Sequence, residues 1–376
     1  MLKVSSRKLI VFVTVSLTTL ILITLAACSQ TGEEEDSNGA LNQDSSTDQA
    51  ELAGYAGSDA CFDCHPTIHN DFVVSGNPWK LKTSAVAENN PIPVPVGYAW
   101  ELISYVIGGN KWSTLYVDNN GYIITSAGGQ PGNNQYNLLT DTWSDYMPDE
   151  LIPFTCGECH ATGYSPEGHQ GGLPGIVGTW ALEGVQCEAC HGYGTDHVQG
   201  DLIKKATVSI DSSAEFCGQC HTSGTDINTI PADNGFILKN GQYNEHQASP
   251  HQYTDCVKCH DPHERGEFSV KIECGSCHLQ VGDDYAGSTM DVVGVECESC
   301  HMPRATLSGQ VLGPYQGDVR THLFRINTDP DASMFSEDGT TAKDFVTLDF
   351  ACLSCHLQRD LEWAAENAEG IHTAGK

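Results

Sequence analysis

Apolar and polar positions divide the chain into three parts. Residues 9–27, "LIVFVTVSLTTLILITLAA", form a nearly unbroken apolar run, whereas residues 29–57 carry seven acidic side chains, no basic ones and few large apolar ones. The first pattern is typical of a targeting segment or a membrane span, and the second cannot bury enough apolar surface to fold. We therefore expect the folded body to comprise about residues 58–376.

Within this body, one stretch has the pattern of a β-hairpin. "STLYVDNNGYIITS" (113–126) places β-branched and aromatic residues on both sides of Asn120-Gly121, a strong turn signal. "YAWELISYVIGG" (98–109) predicts a neighbouring strand. The pattern predicts a small antiparallel sheet near 98–143. We expect this sheet to cover the first of the chemical motifs described below, and a partner-docking or substrate-binding face is the alternative.

The rest of the body has the pattern of short helices and irregular loops. "CHPTIHNDFVV" (64–74) and "DLEWAAENAEGIH" (360–372) are the predicted helices, while 38 glycines and 16 prolines indicate loops and short turns. The predicted fold is therefore mainly short α-helices and loops, with the one small sheet.

The N-terminus has the organisation of an export signal. Three basic side chains lie within the first eight residues, and the apolar run ends in "LAAC", which resembles a bacterial lipobox. We predict a signal peptide (1–27), a lipidated Cys28 and an acidic flexible tether (28–57) that reaches roughly 30 Å. A membrane-spanning anchor is the alternative.

Cysteine spacing carries the strongest chemical signal. Apart from Cys28, all sixteen cysteines form CxxC pairs, and a histidine directly follows every pair, although histidine occupies only 16 of 376 positions. Zinc ribbons and redox dithiols use CxxC without that histidine, and disulfides are the other alternative for an exported chain, whereas CxxCH attaches c-type haem. The cysteines are Cys61, Cys64, Cys156, Cys159, Cys187, Cys190, Cys217, Cys220, Cys256, Cys259, Cys274, Cys277, Cys297, Cys300, Cys352 and Cys355.

Haem attachment explains the spacing of the motif. Two thioethers hold the porphyrin edge, and the adjacent histidine is thereby placed beneath the iron as its proximal ligand. We predict eight covalently attached haem c groups, packed against one another because the chain is too short for eight separate domains. The proximal ligands are His65, His160, His191, His221, His260, His278, His301 and His356.

Eight further histidines match the number of sixth ligands that eight bis-histidine irons need. Methionine is the other axial ligand type, but the mature chain would hold only four. The distal candidates are His69, His169, His197, His246, His251, His263, His322 and His372.

Chain geometry limits which iron each candidate can reach. The two axial nitrogens of one iron lie on opposite faces of the porphyrin, about 2 Å from the metal. His263, three residues after His260, cannot pass around the macrocycle, so it ligates a different haem or none. The same holds for His69 and for His197. His246 and His251 are close enough to compete, so one of them is alternatively structural.

Together with the eight CxxCH motifs, "CEACHGYGTDH", "CVKCHDPH", "CESCHMP" and "GDVRTHLFRI" give the chain a resemblance to multihaem c-type cytochromes of the cytochrome c554-related kind. The resemblance covers roughly 58–376. It implies a haem-packed fold and a respiratory role in bacteria that use extracellular or metal acceptors. This chain departs from the pattern at Asn77, where relatives often have histidine.

Three functions follow from these features. The first is electron transfer between respiratory carriers and an external or metal acceptor, with redox proteins as partners. The second is a reductase or oxidase of a small nitrogen or sulfur compound at one open haem, and the third is a subunit of a cytochrome filament. We expect an outer-membrane lipoprotein that faces the periplasm or the cell surface. A net charge of −31 argues against nucleic acid as a partner.

Overall fold

The structure is a computed structural model that describes residues 54–90, 92–200, 208–266 and 268–375. The predicted signal peptide, Cys28 and nearly all of the predicted tether lie outside these residues. Among the described residues, no helix combines the length and apolar character that crossing a bilayer requires.

Short helices account for much of the regular structure. The α-helices are α1 (Pro66–Val73), α2 (Ser84–Ala87), α3 (Gly157–His160), α4 (Cys187–His191), α5 (Thr195–Gln199), α6 (Ala214–Gly218), α7 (Gln242–Ala248), α8 (Leu279–Tyr285), α9 (Thr289–Val292), α10 (Cys297–His301) and α11 (Leu361–Ala368). Single 3₁₀ turns are Ser58–Cys61, Trp100–Leu102, Gln170–Gly172, Cys256–Lys258, Cys274–Ser276 and Ile371–Thr373, and Asp349–Leu353 is a π-helical turn.

The strands are equally short. They are β1 (Leu81–Thr83), β2 (Ile103–Gly108), β3 (Ser113–Asp118), β4 (Tyr122–Ile123), β5 (Ser126–Ala127), β6 (Gln130–Pro131), β7 (Gln135–Asn137), β8 (Thr142–Ser144), β9 (Ile152–Pro153), β10 (Ala161–Thr162), β11 (Leu182–Glu183), β12 (Ile230–Asp233), β13 (Phe236–Leu238), β14 (Thr306–Leu307), β15 (Ile326–Asn327), β16 (Thr341–Ala342) and β17 (Val346–Thr347).

The largest sheet confirms the predicted hairpin and extends beyond it. Its order is β1-β2-β3-β4-β9, with β7 against β3 and β8 against β7. Strands β3 and β4 pair with Val117 opposite Ile123, and the Asp118 carboxylate accepts the amides of Asn120 and Tyr122 at 2.9 Å across the turn. The sheet is wider than predicted because β1 and β9, which flank the 98–143 interval, pair with its edges.

The sheet packs against the second CxxCH motif, and the expectation that it covers the first is wrong. Tyr105 and Val117 share one buried face with Phe154 and Trp180, and Cys156 packs against that cluster. The reason is connectivity: β9 ends only a few residues before the second motif, so the sheet edge leads directly into it.

A second sheet, which the sequence did not predict, organises the C-terminal half. Its order is β14-β13-β12-β16, and β13 and β14 run parallel although they are far apart in sequence. Ile237, Leu323, Met334, Val346 and Phe350 belong to the buried cluster at this sheet. Strands of two to four residues show no usable periodicity, which is why the pattern did not reveal them.

Both predicted helices are present. The first corresponds to α1, which begins with Pro66 at its first turn. The second corresponds to α11, where the Asp360 carboxylate accepts the Trp363 amide as an N-cap, and a 3₁₀ turn then carries His372.

Candidate functional site

Each CxxCH motif forms one helical turn, which brings its two thiols and its histidine together. The histidine amide donates to the carbonyl of the first cysteine, for example at 2.9 Å in the first motif and 3.1 Å in the second. We number the motif sites along the chain. Sites 1 to 8 contain His65, His160, His191, His221, His260, His278, His301 and His356, respectively.

All eight sites open into one continuous cavity of about 4330 Å³. Its lining includes all sixteen motif cysteines and all eight motif histidines. A pocket for one small ligand is about 300–1,000 Å³, so this space suits several large prosthetic groups. The motif cysteines form no disulfide with one another in the described part of the chain.

Five motif histidines face a second histidine across this cavity. The ring centroids are 5.9–6.4 Å apart. Two nitrogens about 2 Å from a shared iron, with each centroid roughly 1 Å further out, would give a similar separation of about 6 Å. The pairs are His65 with His197, His191 with His263, His260 with His322, His278 with His251, and His301 with His372.

These pairs connect different parts of the chain, as the crowding argument required. His263 faces site 3, although it follows the motif of site 5 by three residues. His197 follows site 3 and faces site 1. Each such histidine therefore links two attachment sites, and the sites must lie close together.

Hydrogen bonds at Nδ1 hold several of the motif rings. His191 and His301 use Nδ1 to bond the carbonyls of Ser209 and Phe324 at 2.9 and 2.8 Å. His260 Nδ1 lies 3.0 Å from the Ser269 hydroxyl. Such contacts fix the tautomer and leave Nε2 as the nitrogen that is available to a metal. The residues thus fit covalently attached, histidine-ligated haem.

Three distal candidates do not face a motif histidine. His169 is exposed, does not line the cavity, and its Nδ1 bonds the Ile176 carbonyl. His69 lines the cavity, but both of its ring nitrogens are covered and lack a hydrogen bond, and its ring packs on Phe62 at 5.2 Å. His246 also lines the cavity, is 8% exposed, and its Nδ1 has no partner.

Correspondingly, sites 2, 4 and 8 have no histidine ring opposite their own at that spacing among the described residues. His160 Nδ1 bonds the Lys80 carbonyl at 3.0 Å, and His221 Nδ1 lies 3.3 Å from Gln242 Oε1. The His356 ring packs on Trp363 at 4.9 Å. Eight motifs and eight further histidines suggested eight facing pairs. The described residues form five such pairs.

Contacts between thiols show which attachment sites are neighbours. Thiols that interact electrostatically join sites 1 and 3, sites 2 and 4, sites 4 and 5, and sites 6 and 7. The pairs are Cys61 with Cys187, Cys159 with Cys220, Cys217 with Cys256, and Cys274 with Cys297.

Further electrostatic interactions between thiols complete the sequence of neighbours. Cys190 and Cys217 connect sites 3 and 4. The remaining links join sites 5 and 6 and sites 7 and 8, through Cys259 with Cys277 and Cys300 with Cys355. The sites therefore follow the order 1, 3, 4, 5, 6, 7, 8, and site 2 branches from site 4.

Two ionisable side chains near these sites escaped the sequence analysis. Lys80 lines the cavity. Burial is the main cause that lowers the pKa of His221, and the positive charge of Lys80 is the second. Burial and Lys239 lower the pKa of Lys80 itself, while the Cys220 thiol raises it. A lone lysine carries no pattern, and only its position three residues beyond Asn77 could have drawn attention to it.

Glu245 is the second missed group. It is fully buried, and its carboxylate accepts hydrogen bonds from Thr321 at 2.5 Å, the His322 amide at 2.6 Å and Thr306 at 3.3 Å. Burial raises its pKa to about 7, although the hydrogen bonds act in the opposite direction. Burial also lowers the pKa of His322 to about 3, which keeps that ring neutral and able to bind a metal.

Comparison with known proteins shows which families the chain resembles. The model for "Cytochrome c3" matches residues 180–279, and that for "Cytochrome c554 and c-prime" matches residues 140–192. The multiheme cytochrome MtrA of Shewanella baltica (strain OS185) is 23% identical over 205 residues, which are 46% of this chain and 57% of MtrA. In these segments the chain is similar to multihaem c-type cytochromes, and the two family models together cover less than half of it. The resemblance inferred from the motifs is thus confirmed, and the match spans little more than half of the curated relative.

Solved structures share the fold of this chain. Wolinella succinogenes octaheme sulfite reductase MccA, form II, has a TM-score of 0.56 and 16% identity, over 80% of this chain and 65% of that one. The Outer Cell Wall Cytochrome OcwA also has a TM-score of 0.56, with 18% identity over 83% of this chain and 86% of that one. At these identities the similarity shows the fold alone.

Proposed function

We propose that this cytochrome is an electron-transfer protein that carries haem c at all eight motif sites. The observation that supports this most directly is the single cavity with five facing histidine pairs. When bound, the haems would supply one-electron redox chemistry. The chain's own residues attach the groups, saturate irons from both faces, and hold neighbouring sites in contact.

The order of the sites defines the route. Site 1 and site 8 are the two ends of the series, and distal histidines such as His197 and His263 tie non-consecutive sites together. Each histidine that fills a sixth position also removes a place where substrate could bind metal. The five sites with facing histidines favour transfer between partners over chemistry on a small molecule.

We further propose that the protein is an outer-membrane lipoprotein that exchanges electrons between respiratory carriers and an external or metal acceptor. Support comes from "LAAC" and the acidic tether in the sequence, and from the similarity of fold to a protein named as an outer cell wall cytochrome. A filament of such subunits is a third arrangement, and elongated particles of purified protein in electron micrographs would support it.

Mass spectrometry and voltammetry of the intact holoprotein test the main proposal. We expect a mass increase of eight haems, reversible electrode signals from all of them, and reoxidation of the reduced protein by soluble ferric complexes. Fewer than eight haems, or reduced protein that ferric complexes fail to reoxidise, would contradict it. For the membrane location, Cys28→Ala should release the protein from the membrane fraction, and Ser29→Ala is the matched control.

A reductase of a small nitrogen or sulfur compound is the second candidate, because sites 2, 4 and 8 lack a facing histidine. The fold is also shared with a protein named as a sulfite reductase. Low-temperature EPR of the oxidised protein, together with turnover assays on sulfite, nitrite, hydroxylamine and tetrathionate, distinguishes the two functions. A high-spin haem that shifts on adding one of these compounds, with steady-state turnover, would favour the enzyme.

A further inference from the structure

One buried carboxylate, that of Glu188, joins three separate parts of the chain. Glu188 is the second residue of the site 3 motif and is 5% exposed. Its Oε1 accepts the amides of Ala56 and Gly194 at 2.8 and 2.7 Å, and its Oε2 accepts the amide of Gly57 at 2.8 Å. Hydrogen bonds from backbone amides to a carboxylate are stronger than those between neutral groups, so this carboxylate holds the main chain of both neighbouring segments.

The two segments that the carboxylate holds are those that carry the facing pair of site 1. Gly57 is the N-cap of the 3₁₀ turn Ser58–Cys61, which leads through the motif to His65. Gly194 is the N-cap of α5, which carries His197. The rings of His65 and His197 lie nearly parallel, at an angle of 16°, with their centroids 6.4 Å apart. One carboxylate therefore sets where both of these elements begin.

Other contacts join the same segments and do not involve the carboxylate. The Gly54 carbonyl accepts the Thr195 amide at 3.1 Å. The Ser58 hydroxyl donates to Gln186 Oε1 at 2.7 Å and accepts the Cys187 amide at 3.1 Å. A change in the carboxylate should therefore alter how the two segments meet and leave the fold in place.

The corresponding glutamate of site 7 makes no such contacts. Glu298 is the second residue of its own motif, and "GVECESCH" repeats the pattern of "GVQCEACH". Its backbone carbonyl accepts the Arg320 guanidinium at 2.7 Å, but its carboxylate accepts no backbone amide among the described residues. A glutamate at this motif position is thus not required to form the motif, and the role of Glu188 comes from the segments that it contacts.

We propose that Glu188 is a positioning residue for site 1 and acts from within the motif of site 3. This assignment rests on the proposed function, in which His65 and His197 ligate a haem at site 1. The three hydrogen bonds hold the starts of both elements at one point, and this keeps the two rings facing each other and nearly parallel. Outer groups of this kind orient axial ligands and thereby tune the metal that they bind. Ligation at site 1 is then coupled to the structure of site 3, its neighbour in the series.

Two substitutions of Glu188 test the assignment in the holoprotein. Glu188→Gln keeps the size but replaces one acceptor oxygen with a donor that faces a backbone amide. Glu188→Asp keeps the charge but shortens the reach by one methylene. Near-parallel axial imidazoles give a rhombic low-spin signal in low-temperature EPR, and both variants should lose one haem equivalent of that signal to a high-spin or a more anisotropic form. Glu298→Gln is the matched control and should keep the wild-type spectrum.

A double variant shows which haem is affected. His197→Ala alone should convert one haem to high-spin. Glu188→Gln combined with His197→Ala should change that haem and no other, because both substitutions act on the same site and their effects are not additive. Two altered haems in the double variant would mean that Glu188 serves its own motif, and this would overturn the proposal.

Haem content by mass establishes that each variant is fully loaded. A wild-type spectrum in both Glu188→Gln and Glu188→Asp would overturn the proposal. So would a change in Glu188→Gln but not in Glu188→Asp, since Glu188 would then act only through its charge. None of these results would affect the proposal of electron transfer, which is tested by the haem content and the reoxidation of the wild type.

Discussion

Glu245 should make the folded state less stable as pH rises. The carboxyl group is completely buried between His246 on its own helix and the backbone of His322, two cavity-lining histidines. Burial raises its pKa from 4.5 to about 7. Between these values the folded protein holds a proton that the unfolded chain has lost, so unfolding becomes easier as pH increases through this window.

The magnitude follows from the same two values. Each pH unit of difference between the folded and unfolded pKa corresponds to about 1.4 kcal/mol, so the ionised form costs roughly 3 kcal/mol above pH 7. The cost is absent below pH 4.5. Glu245→Gln retains the shape and cannot ionise, and its amide can still accept from the His322 amide. The stability of the variant relative to the wild type should therefore rise by about 3 kcal/mol between pH 4.5 and pH 8.

Denaturant unfolding followed by Soret circular dichroism at several pH values measures this difference. Glu337→Gln is a suitable control because its side chain is exposed, and its stability should follow that of the wild type at every pH. A difference between Glu245→Gln and the wild type that stays constant from pH 4.5 to 8 would refute the reasoning. It would mean that the hydrogen bonds to the carboxylate compensate fully for its burial.

Three other results are expected. His263→Ala should convert one low-spin haem to high-spin in EPR spectra. His169→Ala should leave the spectrum unchanged, because the His169 ring lies outside the cavity. Equal effects of the two substitutions would contradict the facing pairs. Gly121→Ala should lower the free energy of unfolding by more than Gly129→Ala. Both glycines have positive φ, but only at Gly121 would a Cβ lie 2.6 Å from another backbone atom. Equal decreases in the denaturant midpoints of the two variants would show that only φ matters. Stopped-flow reduction by an anionic reductant should accelerate with ionic strength, and reduction by a cationic one should slow, because the chain carries a net charge of −31; rates independent of salt would contradict this.

Local spacing explains why the motifs and the hairpin could be read from the sequence. A CxxCH turn closes within five residues, and the β3–β4 hairpin depends on the Asn120-Gly121 turn between its strands. The exclusion of His263 from the iron beside His260 is equally local, because three residues cannot span a porphyrin. These conclusions needed no knowledge of how distant segments meet.

The number of histidines did not determine their partners. Sixteen histidines suggested eight pairs, yet His169 does not line the cavity and His246, which does, faces no motif histidine. Both outcomes depend on which face of a turn or helix a distant segment approaches. The same is true of the sheet, which covers the second motif because β9 leads into it.

The sequence by itself predicted the chemistry of this protein, which is haem attachment at the CxxCH motifs, and it also gave the acidic composition and indicated a β-rich insert. Covalent motifs have this power because their geometry closes over a few bonds. The tertiary structure decided the order of the sites, the branch at site 4, and the positions of Lys80 and Glu245. These features depend on contacts between residues that are far apart in the chain. Burial of Lys80 and Glu245 also changes the free energy of their charged forms, and no local sequence pattern indicates by how much.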